Sequence, residues 1–200
     1  MGEDIDAIQK QMVEAELLLL TKNTSDMLSN LLSWSKSQMD GVVVTFSIIN
    51  ISESLRNTLD VQKLIANKKG VNLEYEINEA VNITGDKDML QLVVRNLVNN
   101  AVKFTPAGGY VKIQSNITGA DCRLVIKDNG IGISAEQQKE LFTLKSKPTY
   151  GTMNEKGVGL GLLLCKEFIE LQNGRIWFIS SPGLGTTFYI SLPLAQHYNN

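Results

Sequence analysis

Three short segments place glycine beside residues that can hold a polar ligand. Asp128-Asn129-Gly130-Ile131-Gly132-Ile133 directly follows a strand-like run. Gly157-Val158-Gly159-Leu160-Gly161-Leu162 directly precedes a helical run, and Gly183-Leu184-Gly185-Thr186-Thr187 lies in a late turn. A lone Gly-x-Gly is more often a turn than a ligand site. The second segment has the strongest physics. Small residues at a helix N-terminus leave backbone N–H groups without intrahelical partners, and the helix dipole favours an anion there. Phosphate is the natural guest. No Gly-Lys-Ser/Thr ending follows, so a Walker-type loop is excluded. The spacing of Gly157, Gly159 and Gly161 is not that of a dinucleotide fold.

A polar helix supplies the other half. Between Asp86 and Phe104, residues Asn96, Asn100 and Lys103 fall at four- and three-residue steps and share one face. An amide oxygen such as that of Asn100 can ligate Mg²⁺, and Lys103 can reach a phosphate. The flanking Leu92, Val93, Leu97 and Val98 are expected in the core. On spacing alone, a solvated polar stripe on a surface helix remains the commoner reading.

The elements that must position these groups follow from periodicity. A long helix is expected from Ile5 to Met39, with apolar residues at three- and four-residue steps and a stop at Asp40-Gly41. Strands are expected over Val42–Ile49 and Val71–Ile77, with a helix over Ile51–Asn67 between them. After the Asp86–Phe104 helix, Tyr110–Ile117 and Cys122–Lys127 read as a hairpin turning at Gly119. Ala135–Phe142 reads as a short helix, Thr143–Lys156 as a functional loop, and Gly157–Gln172 contains a third main helix. Arg175–Ser180 and Thr186–Leu192 read as a closing hairpin around Pro182-Gly183. The expected architecture is α+β: a helical arm over 1–41, a domain over 42–194 with helices on one face of its sheet, and a tail over 195–200.

At this point the boxes resemble a family. Asn96 to Thr105 (Asn-Leu-Val-Asn-Asn-Ala-Val-Lys-Phe-Thr) resembles the N box of sensor histidine kinases. Asp128 to Ile133 resembles their first glycine box, Leu141-Phe142 the F box, Lys156 to Leu162 the second glycine box, and Gly183 to Phe188 the third. All stand in the family order, from about residue 45 to 194. The resemblance implies a Bergerat-type ATP-binding fold, a two-layer α/β sandwich in which a mixed sheet is backed by helices. It implies that Asp128 accepts a hydrogen bond from the adenine amino group, with Gly130, Gly132 and Ile133 shaping that pocket. Thr186 or Thr187 would approach the base through water, and Phe142 would mark the start of the lid over Thr143–Lys156. Asn100 would ligate Mg²⁺, Asn96 and Lys103 would assist at the phosphates, and Lys156, Gly157, Val158, Gly159, Leu160, Gly161 and Leu162 would wrap them.

Two departures matter. Gyrase-type relatives carry a Glu four residues before the metal-binding Asn, as the base that activates water; here that position is Asn96. An amide takes no proton at neutral pH, so efficient ATP hydrolysis is not expected. In the F box, Leu144 stands where a second Phe is common. The sole histidine, His197, lies in the polar context Ala-Gln-His-Tyr with no phosphoacceptor motif before it. Asn30 to Lys36, with Gln38 and Gly41, resembles the end of the second helix of a dimerisation hairpin in Bacteroidetes-type kinases. The resemblance therefore implies transfer to a histidine on another helix, and onward to an aspartate of a response-regulator receiver domain. A nucleotide-binding or dimerising module without transfer and a gyrase-type ATPase are the rival readings.

Composition bounds the partners. The formal net charge is −2, which does not point to nucleic acid. Cys122 and Cys165 sit among apolar neighbours without metal-ligand spacing, as expected of packed thiols in a reducing, cytoplasmic setting. The longest apolar run near the N-terminus, Leu17–Leu20, is far short of a membrane span, so a parent anchored in an inner membrane would hold this piece outside it. The apolar stripe of the arm suggests homodimer formation through it.

Overall fold

The computed structural model describes residues 43–144, 150–153, 155 and 160–195. The chain divides into two compact units, Met1–Val42 and Val43–Asn200. The expected helical arm, the tail with His197, and Lys156, Gly157, Val158 and Gly159 lie outside the described residues.

The described elements are β1 (Ser47–Asn50), α1 (Ile51–Lys68), β2 (Asn72–Glu76), β3 (Asn82–Gly85), α2 (Lys87–Phe104) and β4 (Tyr110–Thr118). They continue with β5 (Asp121–Asp128), α3 (Ala135–Glu140), α4 (Gly161–Leu171), β6 (Arg175–Ser181) and β7 (Gly185–Pro193). A five-stranded sheet runs β2-β4-β5-β7-β6, and β1 pairs with β3 in a separate two-stranded sheet. Only the β2–β4 pair in the large sheet is parallel; β4–β5, β5–β7 and β7–β6 are antiparallel. This is the mixed sheet backed by helices that the boxes imply.

Strand alternation decides which face is covered. On β5, Cys122, Leu124, Ile126 and Asp128 are buried; on β7, Thr186, Phe188, Ile190 and Leu192 are. The helices lie on that face. In α2, Leu90, Val93, Val94, Leu97, Val98 and Ala101 are buried, and truncating one such residue as Leu97→Ala is expected to cost about 2–5 kcal/mol. Asp86 caps α2, its Oδ1 accepting from Asp88 N at 3.0 Å and Met89 N at 3.1 Å. Thr105-Pro106 ends it, with Thr105 Oγ1 donating to the Ala101 carbonyl at 2.7 Å.

One buried amide ties the beginning of α2 to the end of α4. Gln172 is fully buried. Its Oε1 accepts from Asp86 N at 2.8 Å, and its Nε2 donates to the Phe168 carbonyl at 2.7 Å. The cap of the polar helix and the helix after the second glycine box are thereby held in one frame.

Several expectations change. The strand expected over Val42–Ile49 is confined to Ser47–Asn50, and its partner β3 falls in Asn82–Gly85, too short and polar for alternation to reveal. The short helix ends at Glu140 instead of Phe142, after a capping box in which Ser134 and Gln137 satisfy each other's backbone N–H groups. Leu92 is only half-buried, while Val94 takes the core position beside Val93. Ala195, at the start of the expected tail, donates its N–H to the Asn82 carbonyl at 2.9 Å. Cys122 and Cys165 are both free and buried. No described helix is long and apolar enough to cross a membrane.

Candidate functional site

Asp128 is the centre of the first glycine box. It ends β5 on the apolar face and is only 4% exposed. Its Oδ1 accepts from Gly130 N at 2.8 Å and Thr186 N at 3.1 Å. Both bonds fall on Oδ1, so Oδ2 stays outside this network. Burial pushes the carboxyl up to about 6, against the downward pull of the two backbone N–H groups. A carboxylate held this way, with one oxygen committed and one open, suits recognition of an amino group.

The loop after Asp128 is stitched to two other elements. Ile131 N donates to the Phe104 carbonyl at 3.1 Å, at the end of α2. The Ile131 carbonyl accepts from Gly183 N at 2.7 Å, in the β6–β7 turn. Ile133 N donates to Ser180 Oγ at 3.0 Å, and Ser180 Oγ lies 2.8 Å from Thr186 Oγ1. Gly132 has φ of 69°, and a Cβ there would run into the Ser181 carbonyl. A Cβ on Gly130 would meet the Phe104 carbonyl, and one on Gly185 the Asp128 carbonyl. These glycines permit backbone-to-backbone approach.

The two threonines part company. Thr186 faces inward with Asp128; Thr187, next along the strand, points to the opposite face and pairs with Lys127. Phe142 packs its ring 5.8 Å from that of Phe178, which in turn lies 5.8 Å from Phe188.

Asn96 and α4 face one another. A Cβ on Gly161 would lie 3.4 Å from Asn96 Oδ1. Asn96 Nδ2 is buried and takes no hydrogen-bond partner among the described residues. An orphaned buried donor costs about 1–3 kcal/mol unless something accepts from it. Leu160 precedes α4 without a side-chain cap, and Leu162 lies in its first turn. The orphan donor and the uncapped helix start fit an anionic oxygen. Asn100 is half-buried, one turn further along α2. Among the described residues no cluster of three His, Cys, Asp or Glu is present to hold a metal, so a Mg²⁺ ion at Asn100 would have to draw ligands from a nucleotide and water.

Lys103 is less exposed than the polar-stripe reading allows. It is 9% exposed, its Nζ sits 4.9 Å from the Phe104 ring centroid, and burial holds its pKa below the usual lysine value. Sequence reasoning passed over Ser180, Gln138 and Lys69. Gln138 Nε2 donates to the Ile133 carbonyl at 2.8 Å and the Ser180 carbonyl at 3.2 Å, pinning the first glycine box from behind. Lys69 carries no local signal because its partners are distant in sequence, and Ser180 and Gln138 each gain a distant partner only when the β6–β7 turn packs against the first glycine box.

Comparisons with known proteins show the family and the fold. The family model described as histidine kinase-, DNA gyrase B-, and HSP90-like ATPase matches residues 85–196. The adaptive-response sensory kinase SasA of Synechocystis is 30% identical over 146 residues, covering 72% of this chain and 38% of SasA. The sensor-like histidine kinase SenX3 of Mycobacterium bovis is 27% identical, covering 93% of this chain and 46% of SenX3. The chain thus spans less than half the length of these relatives. Among solved structures, the catalytic domain of histidine kinase ThkA superposes with a TM-score of 0.65 at 27% identity, over 74% of this chain and 95% of that one. Acinetobacter baumannii AdeS gives 0.72 at 20% identity, over 90% and 83%, a likeness of fold. The chain belongs to the histidine kinase-, DNA gyrase B- and HSP90-like ATPase family, and it carries the ATP-binding catalytic domain of a sensor histidine kinase.

Proposed function

We propose that this domain binds Mg-ATP and donates the γ-phosphoryl group to a histidine outside these 200 residues. The observation that carries the reading is Asp128: a buried carboxylate with Oδ1 fixed by Gly130 and Thr186 and Oδ2 left for the adenine amino group. Gly130, Gly132 and Ile133 shape the base pocket, with Thr186 the nearer threonine. The phosphates lie between Asn96 on α2 and the start of α4, where Gly161 and Leu162 continue the second glycine box from Lys156. Mg²⁺ at Asn100, when bound, neutralises charge on the phosphates.

The chain's own residues contribute positioning. Asn96 Nδ2 gains an acceptor when a phosphate oxygen arrives, and its amide cannot deprotonate water. The attacking imidazole nitrogen forms its bond to phosphorus as the bond to ADP breaks. The reading extends to a histidine-bearing dimerisation helix as partner, to self-association through residues 1–41, and to a response regulator as the next acceptor, in the cytoplasm.

Calorimetric titration of Mg-ATP into the chain and its Asp128→Asn variant tests the first half. Binding lost in the variant supports the site; binding by neither overturns it. Labelled ATP, with a separately produced histidine-bearing hairpin of the same kinase, tests the second. Acid-labile label on the hairpin is expected, and steady release of free phosphate instead would favour a gyrase-type ATPase.

A further inference from the structure

Lys69 follows the last residue of α1, in the turn before β2, and its side chain is only 7% exposed. A buried ammonium is costly unless its donors are used. Its Nζ donates to the Lys103 carbonyl at 2.6 Å and to Glu155 Oε1 at 2.8 Å. The same carbonyl accepts from Thr152 N at 3.1 Å and lies 3.2 Å from Thr152 Oγ1. Glu155 also gathers its own turn: Oε2 accepts from Met153 N at 2.8 Å, and its carbonyl accepts from Gly151 N at 2.8 Å. A Cβ on Gly151 would collide with the Glu155 and Lys103 side chains, so this packing requires glycine. Burial pushes the Glu155 carboxyl upward, but hydrogen bonds from Lys69 and the backbone outweigh it and hold the group ionised below its usual range.

We propose that Lys69 is a positioning residue for the phosphate half of the site. It binds the Lys103 carbonyl and the Glu155 carboxylate together, and so fastens the turn of Gly151, Thr152 and Glu155 to the final turn of the helix that bears Asn96, Asn100 and Lys103. Glu155 directly precedes Lys156 in sequence, so this latch fixes the chain at the residue before the second glycine box. An apolar pair of similar volume could stabilise the fold as well as a buried ion pair. What the pair adds is a defined geometry, where the described part of the loop meets the polar helix. The inference rests on the ATP site proposed above.

The test uses the 200-residue chain with Lys69→Met and Glu155→Gln. Three quantities are measured: affinity for Mg-ADP, affinity for adenosine, and the rate of tryptic cleavage after Lys145 without nucleotide. In both variants Mg-ADP affinity is expected to fall about tenfold while adenosine affinity holds within about twofold. Cleavage after Lys145 is expected to speed up about threefold or more. Lys69→Met also tests the carbonyl contact, whereas Glu155→Gln keeps an amide oxygen that can accept from Lys69 Nζ, so its melting temperature is expected to fall less than that of Lys69→Met. Unchanged ADP affinity and unchanged cleavage in Glu155→Gln would overturn the proposal. Equal losses for ADP and adenosine with a lowered melting temperature would also overturn it, leaving a structural role only. If the parent binds neither ligand, the ATP reading fails, and the cleavage rates alone still decide the latch.

Discussion

Thr186 N reaches across from β7 to donate to Asp128 Oδ1 at 3.1 Å, although the two residues are 58 positions apart. The sheet register makes this contact: Lys127 pairs with Thr187, so Asp128 at the end of β5 lies beside Thr186 near the start of β7, both on the apolar face. The same placement that orients the carboxylate also strips it of water.

That cost is measurable. Asp128 has its pKa raised to about 6 in the folded chain, so the fold favours the neutral acid. The stabilising contribution is complete below the unfolded value near 4 and is lost as pH rises through about 6. At about pH 8 the ionised group therefore opposes folding. Asp128→Asn keeps an acceptor for Gly130 and Thr186 without the charge, and it is expected to raise stability there by about 1–3 kcal/mol while abolishing nucleotide binding. Denaturant melts of both proteins at about pH 8 and pH 4 check this, the difference vanishing at the lower value.

Ligand binding should show the opposite pH trend. Adenosine, which has no titrating phosphate, is expected to bind with constant affinity well above pH 6. Its affinity is expected to fall by up to about tenfold per unit below that value, as the acceptor is neutralised. Calorimetric titrations across this range are the measurement, and a flat profile would remove Asp128 from the base pocket.

The glycines separate by what surrounds them. Gly132 and Gly183 both have positive φ, 69° and 77°, but a Cβ at Gly183 meets nothing within 4 Å. Gly183→Ala should cost only the left-handed penalty of about 1–2 kcal/mol. Gly132→Ala adds a collision with the Ser181 carbonyl and should cost clearly more, with loss of adenosine binding. Paired thermal melts rank the two.

Asn96 makes a converse case. Its Nδ2 is buried without a partner, so Asn96→Ala removes an unsatisfied donor and adds helix propensity. Apo stability should stay within about 1 kcal/mol of the parent, while Mg-ATP affinity falls about tenfold. Calorimetry beside a melting curve reads both.

Much was legible from residue types and order. The helix over α2, the β4–β5 and β6–β7 hairpins and the boxes from Asn96 to Phe188 all carry local patterns: 3.6-residue apolar spacing, strict alternation, and glycine where a turn must form. Those patterns sufficed for the α+β fold class, because they depend on neighbours close along the chain; Asp128, Gly132 and Asn96 became candidates through the resemblance of the ordered boxes to a known family. The tertiary structure decided the rest. β3 has no period of its own and exists as a strand because β1 pairs with it. Thr186 is set apart from Thr187 only by the face that β7 turns to the helices. Lys69 reads in sequence as the polar end of a helix, yet its ammonium is buried between Lys103 and Glu155, which lie 34 and 86 residues away. Burial and long-range hydrogen bonds are properties of packed elements, and no local spacing encodes which charge will be enclosed when they meet.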